Sequence, residues 1–170
     1  MAEINKLMVV AHPDDEIIFG GDELIQEKGW KVICISEGNN DTRSQEFKAA
    51  MKKVEAEYEI WSFKDAWTEH VNRPKLEQEL QRIIHERLYR KIVTHNLQGE
   101  YGHPEHKALS EIMNSIVKEN LFMFDLSLEE VLQVDILKQK LEILEVYESQ
   151  KHAVEQLLPY VIKARSIQVK

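Results

Sequence analysis

Apolar residues along the chain fall into short blocks of two alternating kinds. Leu7 to Ala11 is a continuous apolar run that stops at His12-Pro13-Asp14-Asp15-Glu16, as a buried strand does when it delivers polar groups to a sheet edge. Ile17, Ile18, Leu24 and Ile25 then recur with helical spacing, and Gly29 predicts the helix end. Gly20 and Gly21 inside that helix imply close packing of its backbone. Trp30 to Ile35 reads as a second strand, followed by the turn residues Glu37 to Asp41. Thr42 and Gln45 form a capping-box pattern, and Phe47, Ala50, Met51 and Val54 give the next helix one apolar face. Tyr58 to Phe63 predicts a third strand and Asp65 to Pro74 a long loop.

From Pro74 a helix carries Leu76, Leu80, Ile83, Ile84 and Leu88 on one side. Lys91 to His95 is the fourth strand, and Asn96 to Gly102 a loop. Pro104 suits a first helical position, where its missing N–H costs nothing, and Leu109, Ile112, Met113, Ile116 and Val117 form the stripe behind it. Leu121 to Phe124 and Val131 to Ile136 predict short strands at one edge. A long helix follows from Leu137 to Leu157, ended or kinked by Pro159.

Strands alternating with helices predict an α/β fold, three layers thick, with a mostly parallel sheet of order about 3-2-1-4-5. In that order strands 1 and 4 lie side by side where the winding reverses, and ligands bind outside their carboxyl ends. His12 to Glu16 follows strand 1, and His103-Pro104-Glu105-His106 follows strand 4. Two polar clusters ninety residues apart are thereby expected in one crevice.

With 170 residues the chain is expected to form one domain over 1–170. A net charge of −8 argues against a nucleic-acid backbone or an anionic membrane as partner. Cys34 is the only cysteine, so no intrachain disulfide forms. No signal-peptide or membrane-spanning pattern is present, and the expected compartment is the cytoplasm.

His12, Asp15 and His106 offer two imidazoles and a carboxylate with room for water, the ligand set of a catalytic zinc site. Such a zinc lowers the pKa of bound water to about 7, and Asp14 is placed to act as general base on it. His103 shares a face with His106 and is placed to stabilise an oxyanion or protonate a leaving group. The ordinary alternatives are N-capping for Asp14-Asp15 and a surface helix start for the second cluster. Arg43 opposes the dipole at the start of its helix; it either anchors substrate or pairs with Glu46 in solvent. His95 is expected to be buried in its loop, and His70, His85 and His152 to lie on the surface.

AHPDDE after the first strand with GHPEH after a later one resembles the PIG-L/LmbE family of zinc-dependent N-acetylglucosamine deacetylases. Arg43-x-x-Glu46 and the late segment Lys140…Tyr147-Glu148-Ser149-Gln150 extend the resemblance over nearly the whole chain. It implies a Rossmann-like domain that hydrolyses an N-acetyl group from a small-molecule amino sugar or glycoconjugate. It places the metal on His12, Asp15 and His106, the base on Asp14, and support of the oxyanion and leaving amine on His103. Glu105 falls where an acidic residue orients that histidine, Tyr101 where a tyrosine approaches the substrate carbonyl, and Arg43 on a substrate contact. The metal it implies is zinc, while iron(II) or another divalent ion fits the same ligands; a homo-oligomer is compatible with all of this. The chain is short for the family and its Glu37 to Asp41 loop abbreviated, which predicts an open site. Two other readings share the ligands: a two-histidine, one-carboxylate non-haem iron enzyme, and a non-catalytic metal- or sugar-binding relative.

Overall fold

The computed structural model describes residues 2–63, 73–127, 130–163 and 165–170. Among them, six strands form one sheet of order β3-β2-β1-β4-β5-β6. The strands are β1 (Lys6–Val10), β2 (Trp30–Cys34), β3 (Glu57–Ile60), β4 (Lys91–Thr94), β5 (Leu121–Asp125) and β6 (Arg165–Gln168). The first five are parallel, as the alternation of strands and helices predicts, and β6 pairs antiparallel with β5. The helices are α1 (Asp15–Gln26), α2 (Asp41–Val54), α3 (Arg73–Glu86), α4 (Pro104–Ile116), α5 (Val134–Leu144), α6 (Lys151–Gln156) and α7 (Leu158–Val161).

The period of two along β1 sorts its residues between two cores. Met8 and Val10 pack with Val32, Ile17, Phe19, Phe47 and Tyr147 on one face. Leu7 and Val9 pack with Ile33, Leu76, Leu80, Leu109 and Ile112 on the other. Every residue of β1 is buried, so its apolar run is continuous rather than alternating. The glycine pair of α1 lies under close neighbours. A Cβ on Gly20 would meet Met8 Sδ at 2.9 Å, and one on Gly21 would meet the stem of the buried Lys140 at 3.1 Å.

Several expectations change. Helix α2 begins two residues earlier than the Thr42 pattern implies, with Asn40 as cap: its side chain accepts from the Arg43 amide at 3.2 Å. Gly29 is not a helix cap, because α1 ends at Gln26; its positive φ of 85° instead leads the chain into β2. Leu88 lies beyond the end of α3 and is exposed. Val131 to Ile136 forms no strand, since α5 starts within it. The single helix expected over 137–157 is three pieces, α5, a 3-10 turn (Glu148–Gln150) and α6. Its break lies at Tyr147, which leaves helical geometry and turns its phenol into the core. Strand β6 was not expected. The loop expected over 65–74 lies, up to residue 72 and with His70 in it, outside the described residues.

Gly38 carries a test of how tightly the β2 and β3 ends are joined. Its N–H donates to Trp61 O at 2.7 Å, and a Cβ there would stand 2.6 Å from that oxygen and 2.9 Å from Ile60 O. Backbone cannot yield as a side-chain tip can. Gly38→Ala is therefore expected to cost about 1–3 kcal/mol, measured as a lowered urea midpoint. An unchanged midpoint would mean that this junction opens freely.

Candidate metal centre

The turn after β1 is built around the Asp15 carboxylate. Its Oδ2 accepts from the His12 amide at 2.9 Å and lies 3.3 Å from His12 Nδ1. Asp14 precedes α1 at φ 105°, and its side chain makes no capping bond, so N-capping does not account for it. Its carboxylate lies 3.6 Å from Arg43 Nη2, which also donates to Pro13 O at 2.6 Å.

The turn after β4 supplies the opposing side. Glu100, at φ 57° in the Asn96–Gly102 loop, is buried against two imidazoles. Its Oε2 accepts from His95 Nδ1 at 2.9 Å and from His106 Nδ1 at 2.7 Å. The two rings stack with centroids 3.8 Å apart. With Nδ1 protonated toward Glu100, His106 presents the bare lone pair of Nε2. That atom is buried, has no hydrogen-bond partner among the described residues, and stands 3.2 Å from Asp15 Oδ2. Two facing acceptors in a buried site are complementary to a cation.

Two sets of groups could hold one: His12, His103 and His106, or Asp15, His95 and His106. His95 Nε2 accepts from the Ala11 amide at 3.0 Å, so its lone pair is spent and it serves to stack and support His106. The donor atoms that remain around His106 Nε2 belong to Asp15, His12 and His103. They suit zinc or iron(II).

The electrostatics follow from these distances. Burial alone would raise the Asp15 carboxyl, but His106, His12 and His95 hold it well below the usual carboxylate range. Asp14 goes the other way: burial and the charge of Asp15 push it well above that range, against the opposing pull of Arg43. Burial disfavours a charged His12, yet Asp15 and Glu105 push its pKa up to about 10. His103 is pushed down to about 4 by burial and by His106 and His12, so its ring is neutral at pH 7. Burial opposes ionisation of Glu100, but His95 and His106 carry it down to about 2.

His12, Asp14, Asp15, His103, Glu105 and His106 thus converge across the β1/β4 crevice, with His12 and His103 rings 4.9 Å apart. Tyr101 stands at its mouth, 43% exposed and edge-on to His103 and His106. Arg43 faces the crevice too, and the Glu46 pairing does not form; both Glu46 oxygens accept from Ser149. Glu105 differs from its expected role. Its carboxylate meets His12 Nε2 at 2.6 Å, and its amide donates to His103 Nδ1 at 3.3 Å. Residues two apart at a helix start point to different sides, which accounts for the change. His95 is buried, as its place at the end of the fourth strand predicts, but neither it nor Glu100 was assigned a part in the site. The first was legible as the last residue before the loop of a central strand; the second had no motif, only flanking glycines.

A comparison with family models matches residues 7–117 to PIG-L, the GlcNAc-PI de-N-acetylase family. The chain belongs to that family. It is 35% identical to the uncharacterized protein L374 of Acanthamoeba polyphaga mimivirus, over 98% of this chain and 80% of that one. Among solved structures it is similar to the N,N'-diacetylchitobiose deacetylase of Pyrococcus horikoshii, with TM-score 0.72 and 13% identity over 96% of this chain and 84% of that one. It is also similar to the conserved protein TT1542 of Thermus thermophilus, with TM-score 0.71 and 18% identity over 92% and 84%. GalB of Pseudomonas putida, a 4-carboxy-2-hydroxymuconate hydratase, matches with TM-score 0.69 and 16% identity over 92% and 82%. At these identities the structures establish a shared fold.

The protonated His12 gives the metal reading a signed test. A metal must displace the proton that His12 holds up to about pH 10, so zinc affinity is expected to rise with pH and binding to release a proton. Calorimetry in buffers of different ionisation enthalpy measures that release. His106→Ala should abolish binding while His95→Gln should only weaken it. Full zinc binding by His106→Ala would overturn the assignment.

Proposed function

We propose that this protein is a metal-dependent hydrolase, formed by one domain, that removes an N-acetyl group from an N-acetylglucosamine-type amino sugar or its conjugate. The observation that carries this reading is the unpartnered His106 Nε2 facing Asp15, with Asp14 and His103 on either side. Membership of the PIG-L family supports the amino-sugar substrate. Among the described residues no helix is long and apolar enough to cross a membrane, in keeping with a small-molecule conjugate met in the cytoplasm.

His12, Asp15 and His106 would hold the metal, which when bound supplies Lewis acidity that polarises an amide carbonyl and acidifies water. Asp14 takes the proton from the attacking water; burial and the charge of Asp15 raise its pKa above the ordinary carboxylate range, which makes it a stronger base. Neutral His103 accepts from the Glu105 amide through Nδ1, which leaves Nε2–H free to donate to the developing oxyanion. The C–N bond breaks, the proton held by Asp14 passes to the departing amine, and acetate and a free amino sugar result. Arg43 holds Pro13 and Asp14 in place and lies at the edge where a sugar hydroxyl would enter.

The fold likeness to a hydratase makes acetate release, rather than fold, the deciding observation. A facial-triad iron enzyme would leave Asp14 and His103 without a role, and a pure binding module would need neither. Asp14→Asn is expected to keep its metal and lower kcat by about 10²–10⁴. Because Asp14 must be ionised and its pKa is raised, kcat/KM should fall on acidification through a midpoint above the ordinary carboxylate range. His103→Ala should lower kcat by about 10²–10³ without moving that midpoint. An acetate-release screen over N-acetylated sugars measures all three. Metal loss in Asp14→Asn with retention in Asp15→Asn would reverse the two roles. Arg43→Ala should raise KM, and a wild-type KM on every substrate would confine Arg43 to its protein contacts.

A further inference from the structure

Glu16 is the most deeply buried carboxylate of the first cluster, and neither the metal nor the reaction uses it. A carboxyl group buried in the first turn of α1 is costly unless its oxygens are bonded. Both are. The Tyr147 hydroxyl donates to Oε1, and the Asp14 amide donates to Oε2 at 3.1 Å. Tyr147 is itself buried, at the break between α5 and the 3-10 turn.

The Asp14 amide is an unusual one to hold. Asp14 sits at φ 105° and ψ −32°, where a residue with a Cβ is strained and persists only if its surroundings fix it. Its carbonyl accepts from the Ile17 and Ile18 amides at 3.0 and 2.9 Å. With the carbonyl pinned by α1 and the N–H pinned by Glu16, the backbone cannot relax to an ordinary cap conformation. That conformation brings the Asp14 carboxylate to Arg43, while Asp15, the next residue, turns to His12 and His106.

We propose that Glu16 and Tyr147 are positioning residues: a buried relay from the C-terminal segment that holds the strained backbone of Asp14 and so aims its carboxylate into the crevice. The inference rests on the reading of Asp14 as the base. Neither residue touches the reacting atoms, and loss of either acts through the geometry of Asp14.

Three variants of the metal-loaded protein test this. Glu16→Gln keeps an acceptor for the Asp14 amide and a donor toward the Tyr147 oxygen. Glu16→Leu keeps the approximate volume and removes both, and Tyr147→Phe removes one hydroxyl. Hydrogen exchange of the Asp14 amide, followed by NMR, should be about tenfold or more faster in Glu16→Leu than in wild type and near wild type in Glu16→Gln. Metal content should be unchanged in all three. In acetate release, Glu16→Leu should lower kcat about 10–100-fold with little change in KM, Tyr147→Phe less, and Glu16→Gln should restore most of it. Equal loss of kcat in the Gln and Leu variants, or a protected Asp14 amide in Glu16→Leu, would overturn the proposal. Should Glu16→Leu fail to fold, Tyr147→Phe decides by the same two readouts. If the wild-type protein releases acetate from no substrate, the functional reading fails, while the amide exchange still decides the relay.

Discussion

Two lone pairs facing one another hold the key to this site. His106 Nε2 and Asp15 Oδ2 stand 3.2 Å apart in a buried crevice, and the nitrogen has no hydrogen-bond partner among the described residues. The arrangement would be repulsive by itself, and it is stable only because other groups oblige it. Glu100 takes the His106 Nδ1 proton and so fixes which nitrogen is bare. The Ala11 amide occupies His95 Nε2, so the second stacked ring is oriented without competing for the same place. The His12 amide binds the Asp15 carboxylate from the side of β1. The site is therefore an outcome of where two parallel strands end, not of the two motifs separately.

The same constraint divides the neighbouring aspartates. Asp15 lies among imidazoles and is driven toward ionisation, whereas Asp14, one residue earlier, lies between a buried wall and the charge of Asp15 and is driven away from it. Two adjacent carboxylates with opposed environments are suited to different tasks, one to hold a cation and one to move a proton. The two residues also differ in backbone, Asp14 lying at φ 105° before α1 and Asp15 being the first residue of the helix.

Much of this was legible in the sequence because it depends on local pattern. Five strands, their order and the meeting of His12–Asp15 with His103–His106 follow from apolar runs, turn residues and the winding rule. What escaped depends on contacts between distant residues. The apolar spacing over 137–157 continues smoothly through Tyr147, and its partners in the fold, the apolar core and Glu16, 131 residues away, are not visible in that spacing. Glu105 reaches His12, 93 residues away, and a motif cannot show that. Strand β6 is short and mostly exposed, so its sequence carries no burial pattern; pairing with β5 forms it.

The most direct test of the central claim is an anomalous-scattering map at the zinc edge from crystals grown with zinc. One peak should lie within about 2.0–2.2 Å of His106 Nε2 and an Asp15 oxygen, with Glu100 still on His106 Nδ1 and His95 uncoordinated. A peak coordinated by His95, or no peak between His106 and Asp15 at saturating zinc, would contradict the account.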